Sequence, residues 1–249
     1  MDGGAARRIA SLCSLVPGER AIEVGAGTGT LTRALAETSA RLIALEIDPE
    51  LVEILRQRSD LPDVEIQLAD ALEYDYAAAT ETQPWVATGN LPYNIATPLV
   101  MNWIEGPNPP RRIVVMVQRD VAARFTAKPG SAAYGSLSVA VQFATHPTAE
   151  FTLRPGAFYP RPKVDSAVVV LERRTKPAVA VRDRIFVRQV VRGAFAYRRK
   201  TLANSLALAL GVERQEVAAA LDGLGIDTEI RGEQLDLAAF AAIADALKP

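Results

Sequence analysis

RAIEVGAGTGTLTRAL, residues 20–35, is the stretch on which the fold turns. Residues 20–24 carry an apolar run and read as a buried strand. Gly25-Ala26-Gly27-Thr28-Gly29 follows at once, and a helix is predicted over about 29–37. Glycine admits positive φ and lets the backbone pass close to a ligand, while a new helix offers N–H groups that have no partner in its first turn. Such a turn serves dinucleotides, phosphates and S-adenosylmethionine alike. The full G-x-G-x-x-G dinucleotide pattern fails here, because Thr30 stands at the third glycine position. That lowers the expectation of NAD.

Working outward, strand and helix signals alternate. Residues 41–46 (RLIALE), 64–68, 84–89 and 113–117 (IVVMV) read as strands. Helices are predicted over 48–58, opened by Asp48-Pro49, and over 97–104 and 118–126. The alternation implies an α/β protein with a parallel, doubly wound sheet. Near residue 127 the pattern changes: TAKPGSAAYGS reads as a loop, and 165–171 (DSAVVVL) as a strand that finishes the sheet antiparallel. A charged, proline-containing link, ERRTKPAV at 172–179, precedes a region of helical periodicity only, over about 183–197, 199–210, 213–222 and 236–247. The predicted organisation is therefore a catalytic domain over 1–175 and a small helical domain over 176–249.

In a doubly wound sheet, ligands gather at the carboxyl ends of the strands. Glu46 ends the second strand, 21 residues after Gly25, where a carboxylate accepts the two hydroxyls of a ribose. Asp70-Ala71 ends the third, where a carboxylate reaches an adenine amino group. The fourth runs into Asn90-Leu91-Pro92-Tyr93, and Pro92 forces the chain out of the strand. An amine delocalised into a heteroaromatic ring is a poor nucleophile. Two acceptors that hold its hydrogens pyramidalise the nitrogen and turn its lone pair towards a methyl donor. The Asn90 side-chain oxygen and the Leu91 carbonyl form such a pair, Pro92 fixes the carbonyl's direction, and Tyr93 stacks on the base.

Composition narrows the rest. The chain has 249 residues, 49% of them hydrophobic and 23% charged, enough for a large domain with a small one. A single cysteine, Cys13, and a single histidine, His146, argue against a disulfide framework, a zinc cluster or a Ser-His-Asp triad; both read as packing or surface residues. No metal is expected. No stretch reaches the roughly 20 apolar residues of a membrane span, so a cytoplasmic protein is expected. Net charge is only −1, yet residues 154–200 carry +10 between flanks of −6 and −5. A basic block of this kind suits a phosphate backbone.

Beyond single residues, the chain resembles a known family. EVGAGTGTLT with NLPY resembles the ribosomal RNA adenine dimethyltransferases. NLPYNIATPL (90–99), VQRDVAARF (117–125), YGSLSV (134–139), FYPRPKVDSAVV (158–169) and FAYRRKTLANSL (195–206) are similar to the small-subunit, or KsgA, type over residues 2–247. The resemblance implies a Rossmann-like, S-adenosylmethionine-dependent methyltransferase with a helical RNA-binding domain. It implies dimethylation of the 6-amino groups of two adjacent adenosines in the 3′-terminal hairpin of small-subunit rRNA, each base being swung into a pocket. Gly25, Gly27, Glu46, Ile47, Asp70, Ala71 and Asn90 would hold the cofactor. Asn90, Leu91, Pro92 and Tyr93 would form the catalytic edge, with Phe158 facing the base. Arg161, Lys163, Arg198, Arg199 and Lys200 would contact phosphates of the immature small ribosomal subunit, the expected partner. Family members carry a basic arm ending in Gly-Gln-x-Phe-Leu over the methionine part of the cofactor. This sequence begins at Met1-Asp2, where that segment ends, and weak cofactor binding is expected. Two alternatives stay open: an assembly factor that binds RNA with weak or no catalysis, and an adenine methyltransferase acting on large-subunit RNA or DNA. No helix carries a heptad seam, so a monomer is expected.

Overall fold

The computed structural model of the protein describes residues 2–248 except Ser39, Pro62, Tyr93, Tyr159, Pro160, Pro162 and Arg198. Tyr93 and Arg198, both given roles above, thus lie outside the described residues. Two units form: Met1–Ala122 with His146–Arg173, and Ala123–Thr145 with Arg174–Pro249.

In the first unit, α1 (Gly3–Leu12) precedes β1 (Arg20–Val24), α2 (Thr30–Ala36), β2 (Arg41–Glu46), α3 (Pro49–Arg56) and β3 (Glu65–Leu68). A short α4 (Tyr76–Ala79), β4 (Trp85–Asn90), α5 (Ala96–Glu105), β5 (Arg112–Gln118) and the start of α6 (Arg119–Thr126) follow. Among the described residues, seven strands make one sheet of order β3-β2-β1-β4-β5-β7-β6, with β6 at Thr145–Leu153 and β7 at Ser166–Arg173. The first five are parallel, and β7 pairs antiparallel with β5, Val115 opposite Val169. Residues 113–117 of β5 and 167–171 of β7 are all buried, as strands covered on both faces must be. The predicted helix cap at Asp48 is present: its carboxylate accepts the Glu50 N–H at 2.9 Å, with Pro49 in the first turn. One apolar cluster packs Ile9 of α1, Leu31 and Leu35 of α2 and Val86 of β4 together. Cys13 is buried in it, where desolvation pushes its thiol up to about 12, and His146 is exposed.

The second unit is helical. It contains α7 (Ser136–Ala144), α8 (Arg184–Ala196), α9 (Leu202–Leu210), α10 (Arg214–Gly223) and α11 (Leu237–Leu247). Their apolar faces meet in one core, with Val190 of α8, Leu206 of α9, Leu221 of α10 and Phe240 of α11 fully buried. Asp183 opens α8 and Asp236 opens α11 by accepting first-turn N–H groups. The single cut expected at 175/176 is replaced by a division in which residues 123–145 join the helical unit. Tyr134 and Val139 are the reason: both are buried in the helical core, and the Tyr134 hydroxyl donates to the Leu235 carbonyl at 2.9 Å. Residues 126–136 read as a loop in the sequence, with nothing assigned directly beyond it; α7 begins at Ser136 and packs Val139 into the same core. Among the described residues, no helix is long and apolar enough to cross a membrane, and no group of three or more His, Cys, Asp or Glu could hold a metal.

Strand β4 delivers Asn90 to the carboxyl edge of the sheet. It starts at Trp85, whose ring stacks on Tyr76 at 5.4 Å and meets Trp103 of α5 edge-on at 6.4 Å. The two arms of the turn at residues 91–95 are thereby braced against each other. At the far end, a Cβ on Gly89 would collide with the Val24 carbonyl oxygen of β1, so β1 and β4 approach closely only because residue 89 has no side chain. Gly89→Ala is expected to lower stability by about 3 kcal/mol, as overpacking against backbone does. Urea unfolding of the variant checks this; an unchanged midpoint would mean the strands separate at no cost.

Candidate active site

Strand order reverses between β1 and β4, where Val24 lies opposite Gly89. That reversal opens a crevice at the carboxyl edge of a doubly wound sheet. The loop after β1 and the turn after β4 therefore meet there. Gly25, Gly27 and Gly29 all take positive φ, at 73°, 58° and 83°, which turns the chain sharply from β1 into α2. The Gly25 N–H donates to the Leu45 carbonyl at 2.9 Å, tying the loop to β2. A Cβ at Gly25 would stand 3.6 Å from the Asn90 carbonyl oxygen, so the loop runs directly beside Asn90.

Glu46 fixes the loop. Its carboxylate, 7% exposed, accepts the Gly27 N–H at 2.8 Å on Oε2 and the Ile47 and Asp48 N–H groups at 2.9 and 3.1 Å on Oε1. A carboxylate has about four acceptor positions, so one remains for a ligand, on Oε2. The expected pair of positions for a ribose is reduced to one. Beside Glu46, Ile47 is 65% exposed and Leu68, at the end of β3, is 55% exposed. They form an apolar rim that the sequence marked only at Ile47. Asp70 is exposed, and its Oδ1 accepts the Leu72 N–H at 2.8 Å. Ala71 is buried, and its carbonyl accepts the Tyr76 hydroxyl at 2.8 Å.

The turn after β4 leaves two acceptor groups without a hydrogen bond among the described residues. The Asn90 side chain is exposed and makes no hydrogen bond among the described residues. Leu91 is buried and donates its N–H to the Met116 carbonyl at 3.0 Å, while its own carbonyl accepts nothing among the described residues. The carbonyl of Pro92 receives the Ile95 and Ala96 N–H groups, both at 3.1 Å, which starts α5. Gly25, Gly27, Glu46, Leu91 and Asn90 are thus assembled, with Ile47, Asp70 and Ala71 at the neighbouring strand ends. Phe158 is half-buried and packs against the apolar cluster that contains Ile9 and Leu31. Arg161 and Lys163 are exposed in the same unit, and Arg199 and Lys200 are exposed in the helical one.

Two residues near the loop carry weight that the sequence reading did not assign. Arg58 donates to the Thr28 carbonyl at 2.6 Å and forks onto Asp60 at 2.9 and 2.6 Å, closing the loop from outside. Nothing in its local sequence distinguishes it from a solvated arginine. Glu23, one residue before the end of β1, is 1% exposed. Burial pushes its carboxyl up to about 7; the Thr32 hydroxyl opposes the shift and the Glu46 charge adds to it. Glu23 Oε2 and Thr32 Oγ1 nevertheless lack a hydrogen bond of normal geometry. The available signal was a carboxylate inside an apolar strand.

The sign of the Glu23 effect follows from burial. Its folded value of about 7 lies above the unfolded one near 4.5, so stability from the neutral acid is complete below about pH 4.5 and is lost as pH rises through 7. Glu23→Gln, neutral throughout, is expected to be more stable than the parent at pH 8, by at most about 3 kcal/mol. At pH 5 that advantage should shrink to about 1 kcal/mol or less. Thermal unfolding at both pH values measures it, and an equal difference at each would exclude a buried titrating carboxyl.

Comparison with known proteins identifies the family. Residues 2–248 match the family model described as ribosomal RNA adenine dimethylase. A ribosomal RNA small subunit methyltransferase A of Geobacter metallireducens is 44% identical over 245 residues, covering 96% of this chain and 89% of that protein. A dimethyladenosine transferase structure from Plasmodium falciparum matches with a TM-score of 0.82 at 22% identity, over 96% of this chain and 94% of the other. The structure of the 23S rRNA methyltransferase ErmE matches with a TM-score of 0.78 at 27% identity, over 99% and 98%. The chain belongs to the ribosomal RNA adenine dimethylase family.

Proposed function

We propose that the protein is an S-adenosylmethionine-dependent rRNA dimethyltransferase that places two methyl groups on the 6-amino nitrogen of each of two adjacent adenosines near the 3′ end of small-subunit rRNA. The observation that carries the reading is the Asn90 side chain and the Leu91 carbonyl, both without a partner among the described residues, beside a loop of three positive-φ glycines. The 44% identity to a small-subunit methyltransferase, against 27% to ErmE, favours the small subunit over the large one.

The residues present fit an adenosine-bearing cofactor. Glu46 Oε2 has one acceptor position for a ribose hydroxyl, Ile47 offers an apolar face for adenine, and Asp70 Oδ2 is open to an amino group. Bound S-adenosylmethionine supplies an electrophilic methyl group on a sulfonium sulfur. Asn90 Oδ1 and the Leu91 carbonyl accept the two hydrogens of the target amine and turn its lone pair out of the ring. Gly25, Gly27, Glu46, Ile47 and Asp70 would hold the cofactor, which would supply the methyl group to that nitrogen and keep the electron pair of the sulfur–carbon bond it gives up. The amine then loses one proton to water. No carboxylate is needed as a base, because acidity rises only after the methyl group has arrived.

Tyr93 and Phe158 are assigned to the two faces of the swung-out base, and Arg161, Lys163, Arg198, Arg199 and Lys200 to RNA phosphates of an immature small subunit. The exposure of Arg161, Lys163, Arg199 and Lys200 supports this, as does the basic block between acidic flanks. The sheet unit is thus the catalytic one and the helical unit an RNA-binding one.

Incubating the protein with labelled S-adenosylmethionine and unmethylated small subunits tests the reading. Label should appear as dimethyladenosine in the small-subunit RNA. Label in large-subunit RNA or DNA alone would contradict it. Asn90→Ala is expected to slow transfer by about 10²-fold, the order of removing one preorganised hydrogen-bonding group from a transition state. Small-subunit RNA should still bind the variant. An unchanged rate would remove the acceptor pair from the mechanism.

A further inference from the structure

The helical unit contains a cavity of about 480 Å³ that the methyl-transfer site does not use. Its walls include Arg124, Lys200, Arg231, Ser136, Phe195 and Tyr197. The volume lies in the range of roughly 300–1,000 Å³ that small-ligand sites occupy. Arg124 of α6 and three further segments build it. The 130–136 stretch is held to the 232–235 turn by the Gly130 N–H on the Glu233 carbonyl at 2.7 Å and by the Tyr134 hydroxyl on Leu235. The turn in its place lies hard against α8: a Cβ on Gly232 would stand 2.8 Å from the Ala194 carbonyl oxygen. Tyr134 and Phe195 meet edge-on at 6.1 Å, so the aromatic wall is part of the core rather than a loose flap.

The charges point to a ligand. Arg124, Lys200 and Arg231 are exposed, and no ion pair of theirs is present among the described residues. Only one carboxylate, Glu233, joins them on the wall. Three like charges around one concavity repel each other unless an anion is present. Ser136 begins α7, a nine-residue helix whose first-turn N–H groups and dipole add to the same positive field. Phosphate alone would leave most of the volume empty and would not use Phe195 or Tyr197, which is 43% exposed. Cations beside accessible aromatic rings are instead how single-stranded RNA is held, phosphate on the charges and base on the ring.

We propose that this cavity binds one unpaired, phosphorylated nucleotide of the RNA substrate, phosphate on Arg124, Arg231 and Lys200 and base against Tyr197 and Phe195. The RNA source rests on the reading of the chain as an rRNA enzyme; the nucleotide site rests on the cavity alone. It would hold one residue of the RNA and so contribute to which RNA is bound.

Calorimetry with uridine 5′-monophosphate, in saturating S-adenosylhomocysteine to keep the adenosine site filled, tests the site on the intact protein. Uridine monophosphate should bind, uridine should not, and inorganic phosphate should bind more weakly. In R124Q/R231Q its affinity should fall about tenfold or more, with S-adenosylhomocysteine affinity and melting temperature unchanged. No binding to the parent protein, or equal binding to the variant, would overturn the site. Phosphate binding as tightly as the nucleotide would overturn its assignment to a nucleotide. A single-stranded oligouridine should bind more tightly than the monophosphate; weaker binding would overturn the RNA source. Failure of the parent protein to bind S-adenosylhomocysteine would strike the methyltransferase reading and leave these outcomes standing.

Discussion

The carboxylate of Glu46 is the joint of the molecule. It stands at the end of β2, yet it holds the glycine loop of β1 through Gly27 and its own exit turn through Ile47 and Asp48. Hydrogen bonds to an ionised acceptor are among the strong ones, each worth about 1.5–3 kcal/mol. Without them, three positive-φ glycines would be free to sample many conformations, and the loop would not lie beside Asn90. The strand ends supply the positions, and Glu46 removes the slack between them.

Around that joint the environment is unfriendly to charge. Glu23 lies beneath the same loop, fully buried, and is kept near neutrality by desolvation with the Glu46 charge adding to the effect. The Glu46 carboxylate is satisfied by three backbone N–H groups, whereas burial raises the Glu23 carboxyl to about 7. Arg58 completes the frame from outside by holding the Thr28 carbonyl. The framed loop runs beside Asn90, and under the function proposed above the Asn90 amide and the Leu91 carbonyl would be the acceptors used there. Such preorganisation suits a reaction that asks only for two acceptors in the right place.

Much of this was legible in the sequence, because the signals were local. The glycine turn, the Asp48-Pro49 cap and the Asn90-Leu91-Pro92 exit each follow from the backbone preferences of a few neighbouring residues. The five parallel strands follow from apolar runs between them. What escaped depends on partners distant in sequence. Gly3–Leu12 starts with two glycines and gives little helical signal, but Ile9 finds the core of the sheet unit. Thr145–Leu153 carries Pro147 and mixed polarity, and it survives as an edge strand beside β7, where proline is tolerated. Tyr134 draws residues 123–145 into the helical core through a bond to Leu235, 101 positions away. At the site, the residue types were readable, whereas the three N–H groups occupying Glu46 were not.

The most direct measurement is the affinity of Glu46→Gln for S-adenosylhomocysteine by calorimetry. A glutamine keeps the shape but loses the charge, and one of its two acceptor atoms becomes a donor facing backbone N–H groups. Binding is expected to weaken by about 10- to 100-fold, the equivalent of one charge-assisted hydrogen bond. Affinity equal to that of the parent protein would contradict a site framed by this carboxylate.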